Sequence, residues 1–241
     1  MHGELSILPL RLDEVSFAVR GTTLLDRISV ALERGRRTII MGPNGAGKSL
    51  TLRLCHGLIH PTSGSVAWHG PAARDARRRH AMLFQRPVLL RRSARANLVH
   101  ALDLAGLGRR ERRSRAGAAL ERFGLAPIAE RPARVLSVGE QQRLAMARAW
   151  SLGPQVLFLD EPTASLDPAA TRAIEQMIGV FHAEGVKIVM TTHDLGQARR
   201  LADEVIFLHR GRLYEQTPAA EFFERPRTAE AHAFTRGELL W

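Results

Sequence analysis

The sequence predicts an α/β fold: a parallel sheet with covering helices, a small antiparallel sheet beside it, and an inserted helical segment. Three observations carry that prediction. Short apolar, β-branched runs read as buried strands: TIIM (38–41), AMLF (81–84), VLFL (156–159), KIVM (187–190) and EVIFL (204–208). Helix-like stretches, including KSLTLRLCHGLI and DPAATRAIEQMIGVFHAEG, alternate with several of them, which is the pattern of a parallel sheet. The opening LRLDEVSFAVRGTTLLDRISVALERG instead alternates apolar and polar residues around a Gly turn, as an antiparallel unit does. Residues 86–150 are rich in Ala, Arg and Leu and poor in β-branched residues, so they read as helix.

The first strand, TIIM, runs straight into GPNGAGKS, Gly42 to Ser49, a match to G-x-x-x-x-G-K-[ST] placed between a strand and a helix as phosphate binding requires. Gly42, Gly45 and Gly47 let the backbone curl around Pro43, Asn44 and Ala46 so that N–H groups point at phosphate oxygens, and the helix N-terminus adds its positive end. Lys48 is placed to reach the β- and γ-phosphates of ATP, and the Ser49 hydroxyl to ligate Mg²⁺.

Further along, QVLFLDEP ends a strand on Asp160 and Glu161, two carboxylates at the carboxyl edge of a parallel sheet, where ligands of such folds collect. Asp160 is expected to hold Mg²⁺, directly or through water, and Glu161 to polarise the water that attacks the γ-phosphate. Between loop and carboxylates lies LSVGEQQR, 136–143. Ser137 is a plausible N-cap there, Glu140 completes a capping box, and Gly139 frees the backbone.

Composition bounds the rest. The 241 residues are 45% hydrophobic and 24% charged, an ordinary globular balance large enough for one sizeable domain. A single cysteine, Cys55, excludes an internal disulfide. The opening MHGELSILPL lacks the layout of a secretory signal, and no apolar run approaches the roughly 18 residues of a membrane span. The formal net charge of +11 comes mainly from arginines bunched at Arg77-Arg78-Arg79, Arg91-Arg92 and 109–115. No aromatics are interleaved with them to stack on bases, so the bunches read first as a solvated surface, next as attraction to an anionic membrane face, and last as a nucleic-acid site.

The order of these motifs, with Gln85 after the second strand, SLD at 165–167 and a strand ending in TTHD at 191–194, resembles an ATP-binding-cassette (ABC) ATPase subunit over essentially residues 10–215. The resemblance implies a P-loop NTPase (RecA-like) core, an antiparallel β subdomain and an inserted helical signature subdomain. It also implies one domain over 1–241: a nucleotide-binding core at 1–85 and 151–215, a helical subdomain at 86–150 and a C-terminal tail at 216–241. In that family two cassettes pack head to tail. The signature turn of one, here Ser137, Val138, Gly139 and Glu140, closes over the ATP held by the other. By the same resemblance, Gln85 links Mg²⁺ and the attacking water to the permease contact, Asp167 communicates across the homodimer, and the His193 ring steadies the γ-phosphate.

Three positions depart from the family pattern. Val138 stands where the signature's first glycine is usual, which is tolerable only if its φ is ordinary. Leu50, in the phosphate-binding set, replaces a threonine that donates to the α-phosphate. Val19 in SFAVRG falls where an aromatic stacks on adenine, with Arg20 the other candidate for that place.

Fused exporters carry their own spans, chromosome-maintenance ATPases insert long coiled coils, and translation cassettes carry two phosphate loops; this sequence has none of these. Stand-alone ATPase subunits of transporters remain, importers first among them. GKSLTLRLCHGLI, FQRPVLLRRSARANL, MTTHDLGQARRLADEV and FFERPRTAEAHAFTRGELLW are most similar to ATPases of oxyanion importers, tungstate type first, then phosphate or molybdate type. That implies permease subunits, an extracytoplasmic solute-binding protein and a place on the cytoplasmic face of the inner or plasma membrane. Residues 86–104 are expected to form part of the permease groove, with Leu89 and Leu90 facing the permease and burial in the core as the equal alternative.

Overall fold

A computed structural model describes residues 5–238; residues 1–4, at the start of MHGELSILPL, and 239–241, at the end of the closing FFERPRTAEAHAFTRGELLW, lie outside the described residues. The chain opens with strands β1 (Leu10–Val19) and β2 (Thr22–Leu32), then β3 (Thr38–Met41), helix α1 (Lys48–His56), β4 (Ser63–Trp68) and β5 (His80–Leu83). Helices α2 (Ala94–Leu104), α3 (Arg109–Arg122) and α4 (Val138–Ser151) follow. The chain continues with β6 (Val156–Asp160), α5 (Pro168–Ala183), β7 (Lys187–Thr191) and α6 (Leu195–Leu201). It closes with β8 (Glu204–His209), β9 (Arg212–Pro218), α7 (Ala219–Glu224) and α8 (Ala229–Thr235).

The predicted α/β class is observed. The main sheet has the order β5-β6-β7-β3-β8-β9, parallel through its first five members, with β9 antiparallel to β8. A three-stranded antiparallel sheet, β2-β1-β4, lies beside it. The β1–β2 turn, Arg20-Gly21, takes φ of 51° and 81°. Two consecutive positive φ values match the right-handed twist of a two-residue hairpin.

Side-chain alternation buries both faces of the parallel strands, as their apolar runs require. Ile39, Met41, Leu157, Leu159, Ile188 and Met190 enter a core shared with α2 to α5. Ile40, Val156, Phe158, Val189, Ile206 and Leu208 enter a second core, shared with α1 and the antiparallel sheet. In that second core His80 stacks on Trp68 (ring centroids 5.3 Å, 15° between planes) and meets His56 edge-on at 4.6 Å. Cys55 is buried beside them, and burial pushes its thiol up to about 12.

Leu89 is buried in the core, which corrects the expectation that it faces the permease, whereas Leu90 is exposed.

Candidate functional site

The phosphate loop is wedged between elements distant in sequence. Gly47, the N-cap of α1, has φ of 99°, and a side chain there would overlap that of Leu25 on β2. Behind the loop, Gly211 in the β8–β9 turn donates its N–H to Ala46 O (3.2 Å) and accepts at its carbonyl from Asp26 N (2.8 Å). The first-turn N–H groups at Lys48, Ser49 and Leu50 precede the first intrahelical bond, Thr51 N to Gly47 O at 2.9 Å, and so remain available for an anion. Lys48 Nζ curls over the loop, donating to Gly42 O (2.9 Å) and Pro43 O (3.1 Å). Burial lowers the Lys48 pKa, against the opposing pull of the Glu161 and Asp160 charges.

The register of β6 on β7 sets Asp160 opposite Thr191. Asp160 Oδ1 accepts from Ser49 Oγ at 2.7 Å and from Thr191 Oγ1 at 2.9 Å. Three oxygen donors therefore converge where the phosphate loop meets the sheet edge, a set that suits a hard divalent cation sharing its shell with phosphate and water. Among the described residues no three or more His, Cys, Asp or Glu side chains are placed to hold a metal ion by themselves, so an ion here would lean on the nucleotide for ligands. Thr191 was missed in the sequence reading. Its signal was its place at the end of a strand paired with the one that ends in Asp160.

One residue on, Glu161 takes φ of 45°, a sparsely populated conformation for a non-glycine that persists only where its surroundings enforce it. They do so here: its N–H donates to Thr191 Oγ1 (3.0 Å) and Thr191 O (3.2 Å), and its carboxylate lies 3.2 Å from His193 Nδ1. Gln85 is exposed, two residues beyond β5, whose Leu83 pairs with Leu159. It thus leaves the same sheet edge.

Ser137 caps α4 as expected: Glu140 N donates to Ser137 Oγ (3.2 Å), and Ser137 N donates to Glu140 Oε2 (2.8 Å). Val138 lies in the first helical turn and is absent from the residues with positive φ, so its replacement of glycine costs no backbone strain. The expectation for Gly139 needs correcting. Its backbone is helical, and its missing side chain serves close packing instead, because a Cβ there would sit 2.9 Å from Ala170 Cβ on α5. Asp167 caps α5, its Oδ1 accepting from Ala170 N at 2.8 Å. The signature turn and the Asp167 loop share a cleft of about 610 Å³ that includes no residue of the phosphate loop. Leu50 packs into the second core, while Val19 and Arg20 stand exposed.

Comparison with known proteins places the chain in a family. The sequence model of a family described as ABC transporter matches residues 25–164. The chain is 36% identical to the phosphate import ATP-binding protein PstB 2 of Natronomonas pharaonis, over 94% of this chain and 86% of that one. It is 38% identical to the tungstate uptake system ATP-binding protein TupC of Peptoclostridium acidaminophilum, over 81% and 92%. Other relatives at 34–37% identity are named for import of nickel, methionine or Fe(3+) ions. Among solved structures, cbiO1 of Clostridium perfringens, part of the ABC transporter complex cbiONQ, superposes with a TM-score of 0.80 at 30% identity, covering 90% of this chain and 91% of that one.

Proposed function

Because the chain belongs to the ABC transporter family, as an ATP-hydrolysing subunit, we propose that it energises import of an oxyanion such as tungstate, with molybdate or phosphate as the nearest alternatives. Relatives named for phosphate and tungstate support the oxyanion, as do the local sequence phrases around Gln85 and His193. The relatives named for nickel, methionine and Fe(3+) ions define the competing solutes.

One observation carries the proposed mechanism. Lys48, Ser49, Asp160, Glu161 and His193 gather at one sheet edge, whereas the Ser137 turn and Asp167 line a cleft without any phosphate-loop residue. A second copy of the chain, packed head to tail, supplies the missing half of each site. The Ser137 turn of one copy then meets the γ-phosphate of ATP held by the other, as a helix N-terminus holds an anion.

Catalysis in this reading is positioning plus charge stabilisation. Lys48 leaves its own loop carbonyls to bind the β- and γ-oxygens. Glu161 takes the proton of the attacking water, His193 steadies the γ-phosphoryl group, and Gln85 relays the state of the site to the permease. Ser49, Asp160 and Gln85 would hold Mg²⁺, which when bound neutralises charge building on the phosphate oxygens. The partners are permease subunits, met in part by residues 86–104, and an extracytoplasmic solute-binding protein. The subunit sits peripherally at the cytoplasmic face of the inner or plasma membrane.

The test is recovery of tagged Glu161→Gln protein, trapped with ATP, from native membranes in mild detergent. A polytopic permease in stoichiometric amount is the expected companion. The associated binding protein is then titrated with tungstate, molybdate, phosphate, nickel and methionine. Preference for a cation or an amino acid overturns the oxyanion, and recovery of nucleic-acid proteins without a permease overturns the transport role.

A further inference from the structure

Among the polar side chains outside the site just described, Gln197 stands out by burial and connection. It lies on α6, four residues after His193, and is 1% exposed. A primary amide is buried at a cost unless its donors and acceptors are matched, and here they are. Nε2 donates to Thr163 Oγ1 (2.9 Å) and to Glu175 Oε1 (3.1 Å), and Oε1 lies 3.1 Å from the same threonine hydroxyl. Its backbone N–H donates to Asp194 Oδ1 at 2.8 Å. Glu175, on α5, is in turn gripped by Arg200 through Nε (3.2 Å) and a terminal nitrogen (2.7 Å).

Thr163 belongs to the turn that carries Glu161, closed by Ala164 N donating to Glu161 O at 3.1 Å. Beyond the bonds from Glu161 N to Thr191 at the end of β7, that turn is therefore joined to the His193 turn and the helix it leads into by two side-chain contacts. The Glu161–His193 approach of 3.2 Å is one joint, and Thr163–Gln197 is the other. A single contact lets two turns pivot about it; two contacts fix their relative orientation. The strained φ of Glu161 needs such over-determination.

We propose that Gln197 is a positioning residue for ATP hydrolysis, acting through Thr163 to hold the turn of Glu161 in register with the turn of His193. The inference rests on the proposed roles of those two residues, and the experiment separates the two levels. Gln197→Met, Thr163→Val, Thr163→Ser and the Gln197→Met/Thr163→Val double variant are made in the full chain, beside Glu161→Gln. Steady-state hydrolysis gives kcat and KM for ATP, and thermal melting reports folding.

The expected result for Gln197→Met and for Thr163→Val is a fall in kcat of about tenfold or more with KM changed less than about twofold, as misplacement of a reacting group produces. The double variant loses no more than either single one. Thr163→Ser, which keeps the hydroxyl, recovers the rate that Thr163→Val loses. Unchanged kcat in the Gln197 or Thr163→Val variant, losses that multiply in the double variant, or a serine that rescues nothing would overturn the strap. Should Gln197→Met fail to fold, the threonine pair decides by itself. Full hydrolysis by Glu161→Gln overturns the underlying catalytic reading; an inactive Glu161→Gln beside a fully active Thr163→Val overturns only the strap.

Discussion

His193 Nδ1 lies 3.2 Å from Glu161 Oε2, so the proposed base and the proposed γ-phosphate contact stand side by side. Removing the base while keeping its shape, Glu161→Gln, is expected to lower kcat by 10²–10⁴-fold, the usual worth of general base catalysis. ATP affinity should stay within a few-fold of wild type. His193→Ala should lower kcat as well, and single-turnover hydrolysis with labelled ATP measures both. Turnover near wild type in Glu161→Gln removes it from the role.

Asp160 Oδ1 accepts from Ser49 and Thr191 at once, so its replacement disturbs two hydroxyls together. Chelation with EDTA should abolish hydrolysis, and added Mg²⁺ should restore it. In Asp160→Asn the half-saturating Mg²⁺ concentration should rise at least tenfold. Thr191→Val, which leaves the carboxylate in place but removes an acceptor for Glu161 N, should cost less, roughly 5- to 10-fold in kcat by loss of alignment. A magnesium titration of each variant checks both.

Gly139 faces Ala170 with no room for a Cβ. In Gly139→Ala the gain in helix propensity, about 1 kcal/mol, opposes an overpacking cost of about 1–3 kcal/mol, so net stability should fall by no more than about 2 kcal/mol. Hydrolysis should suffer more, by tenfold or beyond, because the start of α4 must shift. Adding Ala170→Gly should restore the rate. Calorimetry together with hydrolysis rates distinguishes this from a simple loss of fold.

Burial, helped by the charge of neighbouring His56, lowers the His80 pKa to about 4. The unfolded chain therefore binds more protons than the folded one between pH 4 and about 6.5, the ordinary imidazole value. The neutral ring's contribution is fully present above pH 6.5 and is lost as pH falls through 4. After solvent screening it amounts to about 1–2 kcal/mol. His80→Phe, which keeps a ring on Trp68, should flatten the decline of Tm across that window; an unchanged slope would assign it to other groups.

How much of this was legible follows from how local each signal is. GPNGAGKS and QVLFLDEP are contiguous, and each states its own geometry, so Lys48, Ser49, Asp160 and Glu161 were readable and the structure gathers them. The capping box at Ser137 and Glu140 was readable for the same reason. Strands β4 and β9 were not: SGSVAW and RLYEQTP are half-exposed edge elements, without the apolar runs that mark a doubly covered strand. Thr191 and Gln197 were hidden because their partners, Asp160 and Thr163, are separated from them by 31 and 34 positions, and only the sheet register closes that distance. The Gly139 reading went astray because a glycine looks the same in sequence whether it serves a turn or a close approach. In the same way, Leu89 and Leu90 could not be told apart until their exposures diverged.

Cys55 is buried and burial pushes its thiol up to about 12, so it should react far more slowly with maleimide dyes than an exposed cysteine under native conditions. A spectroscopist can therefore place one new cysteine at an exposed position such as Leu104 and label it without first deleting the native thiol. The proposed head-to-tail pairing of two copies could then be tested as a distance between two dyes, in a sequence altered at that one position.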